Sequence, residues 1–505
     1  MDTDLVYSRP RKTAEQLGEL AEDRHRFLDK RILLTGESAL LSLPNGRECL
    51  LDSIRLAVRI CLNVTVYIGK ENDALRAEAE NLAERISFGK KVEILHDGPD
   101  FKQFDAILSI GIKAHPGLPW TTINSNGFLA RATSGTTDIA GPCDVYNPIG
   151  ALAAACLGIG EVFKRLIRLK DERGTMLNGL SFSLRNYAEG ASDYGPTIPE
   201  NLPHDLLVVG AGAIGNGIIH LISRLPFTGT ITLVDREEYG PENLGTCILM
   251  APGDLEKPKA VRLASILNNC GIRANGFAGS FERYAHDLQQ FPQAVLNGLD
   301  NINVRHEVQR TLWPNIIIDG AIGDFMCQVS RHAWPDDIAC LICLFQQPPG
   351  RSAEEVQSEV TGLSKLRLQS PDTVITEEDV KAAPSEKQDF LKSFVGHQVC
   401  SVVQHAMAQK ISSVQQVENF EPSVPFVACF SACMVMTEAL AYLCGWDNKL
   451  EPRFQFDFLV GPTFGLALPQ SRKPTCICSR RKNIEKVRAL HGLLNPTAVP
   501  SVERA

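Results

Sequence analysis

Short apolar runs alternate along this chain with longer stretches whose apolar residues recur every three or four positions, and the alternation occurs twice. The runs Arg31–Gly36, Val64–Ile68, Val92–Leu95 and Ala106–Ile110 have the length and composition of strands. Helical periodicity fills the intervals, around Arg47–Leu62 and over Asp73–Ile86. An earlier helix is expected from Thr13 to about Leu28, opened by a capping box of Thr13 and Gln16 and buried through Leu17, Leu20, Ala21, Phe27 and Leu28. Strands alternating with helices predict an α/β fold, a mostly parallel sheet flanked by helices.

The same pattern returns in the second half. Phe104–Gly111 parallels the strand beginning at Ala294, and the apolar helix Asn147–Leu166 corresponds to Val424–Leu443. The chain therefore reads as two copies of one fold. The long run from Val424 is apolar enough to span a membrane, but it contains Ser431, Thr437 and Glu438, which favours a buried core helix.

In the second copy a strand from Leu206 passes directly into Gly210-Ala-Gly-Ala-Ile-Gly215. Glycines at 210, 212 and 215 between a strand and a helix turn the backbone tightly and point amide N–H groups at phosphate. The next strand ends in Asp235, placed to accept from a ribose hydroxyl. A dinucleotide-binding dehydrogenase has the same features, so the loop alone does not decide the chemistry. In the first copy Arg31–Gly36 is followed by Glu37 to Gly46, which has no glycine loop and puts a carboxylate where phosphate would sit.

The stretch beyond Asp235 separates the readings. EEYGPENLGT is followed by KPKA at Lys257–Ala260 and NGLDNINVR at Asn297–Arg305. Here the chain resembles the ATP-dependent adenylating family of ThiF, MoeB and the ubiquitin-activating enzymes. It matches their pattern at Asp235, Asn243-Leu244, Lys259-Ala260, Asp300-Asn301 and Arg305, and departs from it at Thr246, where an Arg is usual, and at Asn297, where an Asp is usual. The resemblance implies ATP held by Gly210, Gly212 and Gly215, with Asp235 on the ribose. It also implies Asn243 and Lys259 at the phosphates and Asp300 as the Mg²⁺ ligand.

It further implies two Rossmann-like ThiF-type domains forming a pseudo-dimer. Residues 1–190 would be the inactive half and 191–345 the nucleotide-binding part of the active half; 346–422 would be a catalytic-cysteine and crossover insertion, and 423–505 the remainder. Arg9, in Tyr7-Ser8-Arg9, is the cation expected to reach across to the ATP of the active half. Cys340, Cys343, Cys476 and Cys478 are the ligands expected for a structural Zn²⁺, although the second pair is C-x-C where C-x-x-C is usual. Cys400 is the only cysteine of the insertion, with His397 and His405 the nearest groups able to favour its thiolate, so it is the expected thioester nucleophile. Cys429 and Cys433, four apart on the apolar helix, read as packing.

The chain's 505 residues exceed one core, and 44% hydrophobic content is that of a globular protein. A net charge of −8 leaves no electrostatic footprint for nucleic acid, and no membrane partner is expected. No export leader is read at the N-terminus, and 15 cysteines in such a chain suit reduced thiols in the cytoplasm.

The expected function is activation of a ubiquitin-like protein: adenylation of its C-terminal glycine, a thioester on Cys400, and transfer to a conjugating, E2-like enzyme. The compact plan resembles activators of bacterial ubiquitin-like systems associated with antiphage defence. A ThiF/MoeB-like adenylyltransferase serving sulfur transfer is the alternative enzyme. A degenerate, non-catalytic nucleotide binder and a nicotinamide enzyme stand further off.

Overall fold

The computed structural model describes residues 3–18, 26–142, 145–288, 292–299, 302–323, 325–333, 338–345, 353–368, 370, 373–399, 402–403, 406, 424–446, 451–468 and 470–490. The first half builds a seven-stranded sheet from β1 (Arg31–Gly36), β2 (Asn63–Tyr67), β3 (Glu93–Leu95), β4 (Ala106–Ile110), β5 (Trp120–Asn126), β6 (Leu129–Thr133) and β7 (Leu180–Ser183). Its order is β3-β2-β1-β4-β5-β6-β7. The second half has β8 (Leu206–Val209), β9 (Ile231–Asp235), β10 (Ala274–Ala278), β11 (Ala294–Asn297), β12 (Ile316–Gly323), β13 (Met326–Ala333), β14 (Arg453–Asp457) and β15 (Gly461–Leu468). These run β10-β9-β8-β11-β12-β13-β14-β15, the same order with one strand added. In both sheets the first five strands in this order are parallel and the rest antiparallel.

Apolar helices join the halves. Pro148–Ile167 packs on Pro44–Ala57 within the first half and on Pro425–Leu443 of the second, which in turn packs on Ala213–Ile222. Pro425–Leu443 is apolar around its whole circumference, as a helix buried on all sides must be. It is long and apolar enough to cross a membrane, yet 94% of its apolar window lies inside the protein, so it is a core helix. Phe163 of the first half meets Phe325 and Phe426 of the second at ring separations of 5.9 and 5.8 Å. Polar pairs cross the same seam. His220 lies 2.7 Å from Asp52, and Arg224 2.7 Å from Glu48.

The His220 network fixes its own protonation. Arg224 Nη1 lies 2.8 Å from Nδ1, and a guanidinium only donates, so Nδ1 carries no proton and Nε2–H faces Asp52. Burial, reinforced by Arg224, draws the imidazole down to about 4, so it is neutral at pH 7. Asp52 is held at about 2: burial opposes its charge, and His220 and the arginines more than offset that.

Two sequence expectations shift. The N-terminal helix runs Ser8–Leu17 and does not begin at Thr13; Thr13 Oγ1 donates to the Arg9 carbonyl at 2.9 Å from mid-helix and caps nothing. Pro10 falls in the first turn, where no N–H is needed, so it does not delay the helix. The helix expected near Arg47–Leu62 begins at Pro44, again with proline in the first turn, and ends at Ala57.

Residues Gln346–Glu421 form a second compact unit. Its short helices Ala353–Thr361, Lys365–Leu368, Glu377–Ala382 and Ser385–Lys392 enclose Leu363, Ile375, Val380, Leu391, Val399 and Val402. Thr376 and Asp379 form a reciprocal capping box, and Arg367 pairs with Asp379 at 2.7 Å.

Candidate nucleotide and metal sites

The glycine loop turns at the carboxyl end of β8. Gly210 has φ +89°, and a side chain there would press on the Gly298 carbonyl. A Cβ on Gly215 would lie 2.1 Å from the Gly210 carbonyl, which is why the helix can start so close to the strand. Among the described residues nothing lies within 4 Å of where a Gly212 side chain would be, which leaves room there for a ligand. The Ala213–Ile222 helix starts at this point with no side-chain cap, and its first-turn amides have no partner within the helix.

Asp235, at the end of β9, accepts from the Ala211 amide at 2.6 Å and the Glu237 amide at 2.8 Å. Burial raises its pKa, and these amides oppose that. It braces the loop while a carboxylate's remaining lone pairs stay available to a ribose. Asn243 commits its Oδ1 to the Gly240 amide at 2.9 Å, leaving Nδ2 as what it can offer a phosphate. Lys259 is buried, and Nζ lies 2.8 Å from Glu237. Burial alone would lower the ammonium, and the Glu237 carboxylate, with Cys247 and Asp235, more than offsets it, so its pKa rises.

Arg9, on the N-terminal helix, is half-buried and close enough for its charge to help lower the Glu237 carboxyl. Gly245 packs directly on the Val6 carbonyl, so the N-terminal segment of the first half lies against the Asn243 turn. Arg305 pairs with the buried Asp319 at 3.0 Å and donates to the Gly320 carbonyl at 3.1 Å and to the Leu299 carbonyl. Asp300, Cys400 and His405 lie outside the described residues.

Sequence reasoning missed four groups here. Asn216 donates to the Ala211 and Gly212 carbonyls at 2.9 and 3.0 Å and to Tyr239 Oη at 3.1 Å, fixing the loop from beneath. An asparagine directly after the last glycine of the loop was the available signal. Glu237, Tyr239 and Arg59, the last donating to the Cys247, Ile248 and Met250 carbonyls just past the Asn243 turn, gave none, because their roles depend on contacts between separate segments.

The four cysteines converge. Cys340 Sγ lies 3.6 Å from Cys476 and 3.9 Å from Cys343, Cys343 lies 3.4 Å from Cys478, and all four sulfurs fall within 4.8 Å of one another. Tetrahedral zinc with bonds of about 2.3 Å needs sulfurs about 3.8 Å apart, so the set fits. The C-x-C spacing is accommodated, and Ser479 is turned away to the Lys473 carbonyl at 2.8 Å. Bound zinc would offset part of the charge of the four thiolates and clip the segment around Cys476 onto that around Cys340.

In the first half the matching loop is closed. Glu37 N donates to the Ile110 carbonyl at 2.8 Å, and Glu37 Oε1 accepts from the Ile112 amide at 2.9 Å.

The ThiF family model matches residues 203–478, more than half of the chain. The chain belongs to the ThiF family, and is an E1-like adenylating enzyme by class. It is 25% identical over 490 residues to the uncharacterized protein y4jF of Sinorhizobium fredii (strain NBRC 101917 / NGR234), covering 92% of each chain. It is 26% identical over 327 residues to the bacterial E1-like protein BilD of Collimonas sp. (strain OK412), covering 62% of this chain and 59% of that one. A crystal structure of E. coli MccB with ATP matches at TM-score 0.36 and 13% identity, over 55% of this chain and 68% of that one.

Proposed function

We propose that this enzyme adenylates the C-terminal glycine of a ubiquitin-like protein, transfers it to Cys400 as a thioester, and passes it to the cysteine of a conjugating, E2-like enzyme. The substrate carboxylate attacks the α-phosphate of ATP and pyrophosphate leaves; the Cys400 thiolate then attacks the acyl carbon and AMP leaves. The observation carrying this reading is the convergence of Gly210, Gly212, Asp235, Asn243 and Lys259 around the carboxyl ends of β8 and β9, with the N-terminal segment of the first half lying against the Asn243 turn.

In this scheme the amides of the loop and Lys259 neutralise the phosphates, Asn243 donates to the departing pyrophosphate, and Arg9 adds a cation from the other half. Asp300 would hold Mg²⁺. Residues 1–190 serve as the inactive half, 191–345 and 423–505 as the active half with its zinc, and 346–422 as the thioester-bearing insertion. The similarity to a protein named E1-like supports this, and the described cysteines, which form no disulfide, suit the cytoplasm.

The test is to incubate the protein with Mg-ATP and a glycine-terminated ubiquitin-like protein encoded beside it. Non-reducing and reducing gels are then compared, with Cys400→Ala in parallel. A reductant-sensitive adduct requiring ATP and Cys400 supports the full scheme.

One observation favours a second reading, in which a ThiF/MoeB-like enzyme stops at the adenylate. Val399 and Val402, which flank Cys400, are buried in the core of the insertion, as beside an inert thiol. Pyrophosphate release without any adduct would select it.

A further inference from the structure

Arg59 is fully buried, two residues beyond the Pro44–Ala57 helix, and it is bound to backbone of the other half. Its Nε donates to the Cys247 carbonyl at 3.1 Å, and Nη2 to the Ile248 and Met250 carbonyls at 2.9 and 2.8 Å; Nη1 donates to its own helix at Arg55. A guanidinium is tolerated inside a protein only when its donors are met, and here carbonyls from both halves meet them. Burial draws it down to about 10, which leaves it charged at pH 7.

We propose that Arg59 is a positioning residue for the nucleotide site of the opposite half, acting through the segment from Asn243 to Met250. The connection is short. The Cys247 carbonyl is held by Arg59, and the Cys247 amide donates to the Asn243 carbonyl at 2.8 Å. Asn243 Oδ1 is fixed on the Gly240 amide, so the direction of its Nδ2 donor follows the backbone of this turn. The Val6 carbonyl presses on Gly245 from the first half as well, so the turn is held at two points by residues of the half that lacks a glycine loop. The inference rests on the adenylation reading, in which Asn243 meets phosphate, and adds that the inactive half sets where that donor points.

The experiment is calorimetric titration of the full-length protein with Mg-ATP for wild type, Arg59→Lys, Asn243→Ala and the double variant, with folding checked by circular dichroism. Lysine keeps the charge but has no planar fork to span three carbonyls. Arg59→Lys and Asn243→Ala are each expected to weaken binding about tenfold, and the double variant to bind no more weakly than either single one. An unchanged Kd in Arg59→Lys overturns the proposal, as do effects that multiply in the double variant. Gly245→Ala, which pushes on the same turn from Val6, is the second variant should Arg59→Lys not fold: a wild-type Kd there also overturns it. Failure of the wild type to bind Mg-ATP would instead overturn the adenylation reading.

Discussion

In the second half β8 runs into Gly210-Ala211-Gly212, and the following helix starts with no side chain capping it; in the first half β1 runs into Glu37, whose carboxylate takes the Ile112 amide for itself. Strand order is the same in both, so the sheet does not decide which half takes phosphate. A few residues at the carboxyl end of the first strand do. A carboxylate already bonded to the Ile112 amide beyond β4 repels phosphate, and a glycine loop with no described residue above Gly212 leaves room for it. In the proposed scheme the first half has a different task, carried by Arg59, Val6 and Arg9: it braces the site of the second half.

The largest effect should come from removing the metal that the second half's cysteines fit. Structural zinc contributes roughly 10–16 kcal/mol in small isolated domains, and a smaller share is expected for a site that clips one tail. Cys343→Ser or strong chelation should release one metal equivalent by elemental analysis and open the segments around Cys340 and Cys476 to protease. First-half cysteines such as Cys49 and Cys156 are buried in the main apolar core, and their substitution by alanine should release none. Lys259→Ala should lower adenylate formation about 10²–10³-fold, read as pyrophosphate release. Lys113→Ala should leave it unchanged, because that lysine sits beyond β4 of the closed half and pairs with Asp138 at 2.7 Å.

The seam between the halves gives a pH dependence. His220 titrates near 4 in the folded protein against about 6.5 unfolded, so the unfolded chain binds the extra proton first. Its contribution is fully present above about pH 6.5 and declines as pH falls toward 4, by roughly 3 kcal/mol in all. Urea unfolding at pH 7 and pH 5 should show the decline. His220→Gln should flatten it, since a carboxamide can donate to Asp52 and accept from Arg224 without titrating. The smallest effect is expected for Glu37→Gln. The amide keeps an acceptor for Ile112, stability should move by less than about 0.5 kcal/mol, and no second nucleotide should bind, because the glycines are still missing.

The candidate nucleotide site was largely legible as a local arrangement, because the residues proposed for it stand in short consecutive runs. A tight turn before a helix needs its glycines in sequence, and Asp235, Asn243 and Lys259 each follow a recognisable strand or turn. The α/β repeat was equally readable, since the strand-helix alternation and the paired apolar helices are written in local periodicity. The cysteine pairs were visible as pairs, but that C-x-C could close the set depended on how the chain around Cys476 approaches Cys340. Arg59 was invisible, because its partners lie 188–191 residues away and are backbone carbonyls. The N-terminal helix was misplaced because Thr13 and Gln16 imitate a cap, while the real first turn contains a proline.

The central claim is that one half holds ATP and the other braces it. Its most direct test is photolabelling of the full-length protein with an azido-ATP, followed by stoichiometry and peptide mapping. The account predicts one label per chain, within residues 206–260, lost in Lys259→Ala. Two labels per chain, or a label on residues 31–46, would contradict it.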